Sequence, residues 1–383
     1  MTTPATQLKA APGPYRVMVV DDSAVIRGIV TRWLEADPSI SVVASCTNGV
    51  QALRQAPERN CEVVVLDIEM PEMDGITALP KLIKAVPGIQ VVMSSTLTRR
   101  NADISMRALA MGAADYVTKP ETLRGATAAE DFRRELVEKV KALAIARRNK
   151  DQRALAPEAV ARSARVPGLP EPKPAGQSFA LRPMPHIDPA IIAIGSSTGG
   201  PHALMEVMRA LGPSLSVPVV ITQHMPATFT AILAEHIGQA SKRPCVEGRG
   251  GEILKPGCVF VAPGGRHMEL VQDRQGAVTI VLNDNPPENF CKPSVDPLFR
   301  SVAQIYGKRA LGLVLTGMGH DGREGGRAIV QAEGVVVGQD EASSVVWGMP
   351  GAVATAGLCS AVWPLDKIGP EIRAMLGGGG RAP

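Results

Sequence analysis

The chain has 383 residues, 45% of them apolar, and a formal net charge of +4, enough apolar material for two ordinary domains with separate cores. No apolar run reaches the roughly 18 residues of a membrane span, and Met1–Pro14 lacks the basic-then-apolar order of a signal peptide, so a soluble cytoplasmic protein without membrane insertion is expected. Six scattered cysteines with no C-x-x-C pair read as free, mostly buried thiols rather than a zinc site or a disulfide framework, and the basic segment Arg124–Arg165 carries only Phe132 as an aromatic, too few rings to stack nucleic acid.

From Arg16 to Arg148, short β-branched runs alternate with amphipathic stretches, the pattern of a doubly wound parallel sheet. Strands are expected at Val17–Val20, Ile40–Ala44, Val63–Leu66, Val91–Met93 and Asp115–Val117. Helices are expected at Ala24–Glu35, Val50–Ala56, Ile76–Ala85, Ala102–Ala110 and Ala128–Arg148. Asp151–Pro189 then turns rich in Ala, Pro, Arg and Gly without an apolar period, as a flexible tether does. A second alternating pattern opens at Ile191, with strands near Val217–Thr222, Val259–Val261, Val278–Leu282, Ala310–Leu315 and Val335–Val337, and closes by Leu376 before a Gly-rich tail. The expected division is a (βα)5 domain over 14–148, a linker over 149–188 and a second doubly wound parallel α/β domain over 189–377.

In the first domain, Asp21 and Asp22 end the first strand and Asp67 ends the third, which places three carboxylates on the ligand-binding edge of an open α/β sheet. Hard oxygen donors converging there suit magnesium, which neutralises a phosphoryl group in transit. Ser95 and Lys119 follow the fourth and fifth strands onto the same edge, where Lys119 offers a point charge to a phosphoryl oxygen. The segments Val17–Asp22, Leu66–Gly75 and Tyr116–Pro120 resemble a response-regulator receiver domain. That resemblance implies Asp67 as phosphoacceptor, Asp22 and the Glu69 backbone carbonyl as magnesium ligands, and Asp21 contributing through water. It also implies Ser95 as the switch hydroxyl, chosen by strand register over Ser94 and Thr96, Lys119 as the phosphoryl contact, and a histidine kinase as phosphodonor.

The second domain opens on Ile191–Pro201, where an apolar run stops at Gly195-x-Ser197-x-Gly199. This G-x-S-x-G spacing lets a sharp strand-to-helix turn lift one hydroxyl clear of the backbone. With Pro201 in the first helical turn, the amides of Thr198 to Gly200 lie near the positive helix end, where an oxyanion could be held. No G-x-G-x-x-G or G-x-x-x-x-G-K-[ST] loop is present. Ser197 needs a base, and His224, directly after the strand Val217–Thr222, leads. His267 and His320 stay open because each follows a strand-like run. His202 belongs to the helix after Pro201, His186 to the linker and His236 to a polar amphipathic stretch. Asp321 follows another strand end as the carboxylate to orient the imidazole, with helix capping as its structural alternative.

The order Ser197, His224, Asp321 differs from the Ser, acid, His order of α/β-hydrolases. The span Ile191–Val362 instead resembles the methylesterase domain of the chemotaxis response regulators called CheB. The matching blocks are Ile194–Gly200, Ile221–Pro226 with Thr228–Thr230, Ala262–Leu270, Lys292–Asp296, Leu315–Gly322 and Glu341–Pro350. The resemblance implies Ser197 as nucleophile, His224 as base, Asp321 as orienting acid and Met318 beside the oxyanion site, with no cofactor there. Ser196 departs from the usual Ala and His320 from the usual Asn, adding a rival hydroxyl and a rival imidazole. Implied substrates are glutamyl methyl esters on the cytoplasmic helical bundle of chemoreceptors. Members commonly also deamidate receptor glutamine, an activity the sequence leaves open. A generic ester hydrolase and a non-catalytic partner-binding output domain are the competing expectations.

Overall fold

The computed structural model describes residues 13–119, 126–163, 179–213 and 215–377. Pro120, the middle of the expected linker and the Gly-rich tail lie outside them. The first unit runs β1 (Tyr15–Val20), α1 (Ala24–Glu35), β2 (Ile40–Cys46), α2 (Gly49–Glu58), β3 (Val63–Asp67), α3 (Gly75–Ala85), β4 (Gln90–Thr96), α4 (Arg99–Ala110), β5 (Asp115–Lys119) and α5 (Ala126–Ser163). Its parallel strands lie in the order β2-β1-β3-β4-β5. Helices cover both faces of the sheet, so β3 is buried throughout and reads as an unbroken apolar run up to Asp67. The first four helices start where a short polar side chain accepts from an early helical amide, at Ser23, Asn48, Asp74 and Thr98.

The second unit runs β6 (Ile191–Ser196), α6 (Gly200–Leu211), β7 (Val219–Gln223), α7 (Ala227–Ser241), β8 (Cys245–Glu247), β9 (Val259–Val261), β10 (His267–Gln272), β11 (Val278–Asn283), α8 (Val295–Tyr306), β12 (Ala310–Val314), α9 (Arg323–Gln331), β13 (Val335–Gln339), α10 (Met349–Thr355), β14 (Ala361–Trp363) and α11 (Leu365–Gly377). Its main sheet is parallel, in the order β14-β13-β12-β6-β7-β9-β8, with β10 and β11 set apart as an antiparallel hairpin. Val278–Leu282 therefore does not join the main sheet. Its partner is the strand just before it, reached by a short turn around Gly276.

Two features differ from the expected tether. α5 continues to Ser163, well past Arg148, because the Ala- and Arg-rich sequence after it still favours helix. At the other end, packing of the second unit begins ahead of residue 189: the Phe179 ring lies 5.8 Å from that of Trp347, and Arg182 N donates to Cys359 O at 2.9 Å. Among the described residues no helix is long and apolar enough to cross a membrane.

The two units meet through α4, β5 and α5. Tyr116 on β5 stacks on Phe229 of α7, with ring centroids 4.3 Å apart and planes 4° from parallel. Arg134 of α5 lies 5.8 Å from the Phe290 ring centroid, and Arg99 of α4 pairs with Glu235 of α7 at 3.3 Å.

Candidate functional site

At the C-terminal edge of the first sheet, Asp21, Asp22 and Asp67 each bring a carboxylate oxygen within 4.8 Å of the others. These hard donors fit a magnesium ion. The exposed Glu69 side chain is not part of this cluster. Lys119 Nζ reaches both Asp21 Oδ2 and Asp67 Oδ1 at 2.7 Å. Burial pushes Asp67 up to about 6 despite Lys119, while burial of Lys119 is outweighed by Asp67 and Asp21, which hold its ammonium above the usual range. Ser95 is buried on β4, one residue past the partner of Asp67, and its Oγ accepts from Ser105 Oγ at 3.2 Å, on the α4 side.

In the second sheet, the neighbouring strands β6 and β7 end in the pair Ser196 and Gln223, so Ser197 and His224 emerge side by side. The turn at Ser197 needs small neighbours. Gly199 adopts φ 76° as it starts α6, where a side chain would be strained, and a Cβ on Gly317 would stand 2.9 Å from Ser197 Cβ. Among the described residues the amides of Thr198 and Gly199 donate no hydrogen bond, which leaves them available to an anion at the start of α6. Thr198 O is held by Thr316 Oγ1 at 2.9 Å. Ser196, the rival hydroxyl, is buried and donates to Gln223 Oε1 at 2.7 Å, and Gln223 Nε2 in turn donates to Ser197 O at 2.9 Å.

His224 Nε2 is 2.7 Å from Asp321 Oδ2. Its other nitrogen, Nδ1, meets Cys291 Sγ at 3.3 Å, and Ser197 Oγ makes no hydrogen bond among the described residues. Asp321 is buried at the N-terminus of α8, where Val295 N and Asp296 N donate to it at 2.7 and 3.1 Å. Ser294 Oγ and Asn289 Nδ2 add donors at 2.8 and 2.9 Å. Burial opposes this charge, but His224 and the surrounding donors hold the carboxyl well below the usual range. Burial likewise opposes a charge on His224, yet Cys291 and Asp321 outweigh it and hold the imidazole up at about 10.

The remaining histidines separate by environment. His267 is buried and structural, with Nδ1 accepting from Ser294 N at 3.2 Å and Nε2 3.0 Å from Pro286 O. His320 and His202 are exposed, and His236 lies 3.5 Å from Asp103 of the first unit. Asn289, Cys291, Ser294 and Asp296 were not singled out by sequence reasoning, although the last two lie inside the block Lys292–Asp296.

The first unit reaches this site directly. Thr198 Oγ1 donates to Asp115 Oδ2 at 2.6 Å. Half-buried Met318 and the loop Ser344–Gly348 line a cleft of about 290 Å³ against Ala142, Ile145 and Asn149 of α5.

A family model described as CheB methylesterase matches residues 192–372, and one described as response regulator receiver domain matches residues 17–129. The chain is 54% identical to a protein-glutamate methylesterase/protein-glutamine glutaminase of group 2 operon from Rhodospirillum centenum, over 94% of this chain and 93% of that one. It is 51% identical to a protein-glutamate methylesterase/protein-glutamine glutaminase from Nitrobacter hamburgensis, over 99% and 98%. The solved Thermotoga maritima CheB methylesterase catalytic domain is 35% identical, with a TM-score of 0.47, covering 49% of this chain and 98% of that one. With both family models falling on the two sheets in order and its relatives aligned almost end to end, the chain belongs to the CheB family of protein-glutamate methylesterases, with an N-terminal receiver domain.

Proposed function

We propose that the protein is a phosphorylation-activated enzyme of chemotaxis adaptation, acting in the cytoplasm on glutamyl methyl esters of chemoreceptors. The observation that carries this reading is the 2.7 Å contact between His224 and Asp321 on the sheet edge from which Ser197 also emerges. Ser197 Oγ attacks the ester carbonyl as its proton passes to His224 Nδ1, and Asp321 steadies the imidazolium through Nε2. The free amides of Thr198 and Gly199 face the developing oxyanion, with Met318 at its rim. Methanol leaves, and water attacking the acyl-enzyme restores the glutamate. The same acyl-enzyme forms from a receptor glutamine with loss of ammonia, so deamidation is the second proposed activity.

For this cycle Ser197 Oγ takes the side of His224 Nδ1 that Cys291 occupies in the structure. Control is proposed to run through the receiver, whose β5 and α5 cover the Thr198 and Met318 side of the site. Asp21, Asp22 and Asp67 would hold magnesium, with the Glu69 carbonyl assigned by resemblance. An ion held there would supply charge neutralisation for phosphoryl oxygens beside Asp67. Lys119 contacts the phosphoryl group, Ser95 acts as the switch, and a histidine kinase is the donor. The added charge on Asp67 shifts the population toward an uncovered site.

The test compares methanol release from methylated receptor fragments with hydrolysis of a small synthetic ester, for the wild-type protein and Ser197→Ala. Release from receptor that is lost in Ser197→Ala supports the proposal. A preference for the synthetic ester indicates a generic hydrolase, and receptor demethylation unaffected by the substitution rules out the assigned nucleophile.

A further inference from the structure

Cys291 stands apart from the other cysteines. Burial pushes the thiols of Cys46 and Cys61 up to about 11 and those of Cys245 and Cys359 up to about 12, so these four carry almost no thiolate at neutral pH. Cys291 is only half-buried, and its Sγ lies 3.3 Å from His224 Nδ1. Since the opposite ring nitrogen bonds Asp321 at 2.7 Å, sulfur, imidazole and carboxylate form one continuous chain. A base in contact with the sulfur and a buried carboxylate behind that base are the arrangement by which a side-chain nucleophile is activated.

The loop holds the sulfur in place. Asn289 and Phe290 take φ values of 53° and 62°, costly for residues with side chains. Asn289 Nδ2 bridges Asp296 and Asp321, at 2.9 Å to each. Cys291 N donates to Glu288 O at 2.8 Å. The Phe290 ring beside it is 88% exposed, so this rim is open to small solutes.

We propose that Cys291 is an oxidant-reactive thiol that shares its imidazole with Ser197, and that its oxidation by a hydroperoxide switches the esterase off. The thiolate attacks one oxygen of hydrogen peroxide. An S–O bond forms as the O–O bond breaks, the sulfur gives up two electrons, and His224 passes its proton to the departing hydroxide, which leaves as water. The sulfenic oxygen then occupies the Nδ1 side of the ring that Ser197 requires. Two thiol equivalents of dithiothreitol return the sulfur to the thiol, forming the reductant's disulfide and water. The effect on activity rests on the proposed role of His224 as base, whereas the reactivity of the sulfur does not.

The full-length protein, activated with an acyl phosphate, is treated with hydrogen peroxide. It is then assayed for methanol release and labelled with a dimedone-type probe for sulfenic acid, followed by peptide mass mapping. The expected result is a probe adduct on the Cys291 peptide and a loss of activity of about 100-fold, the scale of a disabled general base, reversed by dithiothreitol. In Cys291→Ala the treated and untreated rates should agree, while Cys258→Ala should behave like the wild type. Equal peroxide inactivation of Cys291→Ala and the wild type, or labelling that bypasses Cys291, overturns the proposal. Because labelling does not depend on turnover, a protein that releases no methanol before peroxide treatment but is labelled at Cys291 after it rules out the esterase reading alone. An active protein unlabelled at Cys291 rules out the oxidation site alone.

Discussion

Asp296 and Asp321 cap each other's helices. Asp321, just ahead of α9, accepts the first amides of α8, while Asp296, in the first turn of α8, accepts from Gly322 N at 3.0 Å and Gly325 N at 2.6 Å at the start of α9. Asn289 Nδ2 sits between the two carboxylates. The helix-capping alternative for Asp321 and its proposed orienting role are therefore compatible: the helix that it caps is what keeps its charge available to His224.

The pair separates stability from catalysis. Asp296→Ala removes acceptors from the start of α9 and should cost about 2 kcal/mol of stability, read as a lower urea midpoint. Asp321→Asn keeps the size of the side chain but loses the charge behind His224, and kcat should fall by about 10²–10⁴ in the methanol-release assay. An Asp321→Asn enzyme with wild-type kcat would remove Asp321 from the proposed machinery.

The pH profile should respond to Cys291. Burial of the His224 ring opposes its charge, but Cys291 and Asp321 hold it up at about 10. A general base works as neutral imidazole, so kcat/KM should climb with pH across the alkaline range. Cys291→Ala removes the larger of the two raising influences, the pKa falls, and the acidic limb should move to lower pH. The same elevation adds stability that is complete below the unfolded imidazole value of about 6.5 and is lost as pH rises through about 10. Unfolding midpoints measured on both sides of that window check the second point.

Thr198→Val should loosen the receiver. It keeps the backbone amide and side-chain volume but removes the donor to Asp115 Oδ2. A hydrogen bond to a charged group contributes about 1.5–3 kcal/mol, so the unphosphorylated rate should rise about 10- to 150-fold. The ratio of rates with and without an acyl-phosphate donor should narrow correspondingly. An unchanged ratio would mean that this contact does not hold the covered state.

Chelation should act on one domain only. With EDTA present, stimulation by the acyl-phosphate donor should disappear, as it should in Asp67→Asn, because both treatments disable the carboxylate cluster at Asp21, Asp22 and Asp67. The rate of the unphosphorylated protein should not change. A fall in that rate would place a metal requirement in the esterase site.

Legibility of the sequence followed the range of the interactions involved. α1 spans the expected Ala24–Glu35 because Ser23 caps it and its apolar period is local. The positions of Asp67, Lys119 and His224 at or just after strand ends were readable because strand ends in parallel sheets fall on a common edge. Val278–Leu282 has the composition of any buried strand, and nothing within it reveals an antiparallel partner. Asn289, Ser294 and Asp296 gather on Asp321 from a loop and the helix start after it, without a local period. Cysteine spacing directs attention to other cysteines, whereas Cys291 finds its partner 67 residues away in His224.

β5 has a property that its short length conceals. Lys119, at one end, touches the carboxylates of Asp21 and Asp67, and Asp115, about 13 Å away along the extended chain, grips Thr198 in the other domain. Among the described residues it is an outermost strand, paired only with β4, and Tyr116 between its ends is stacked against Phe229. The groups proposed for phosphoryl chemistry and those proposed for acyl chemistry are thus joined through one strand, only four peptide links apart.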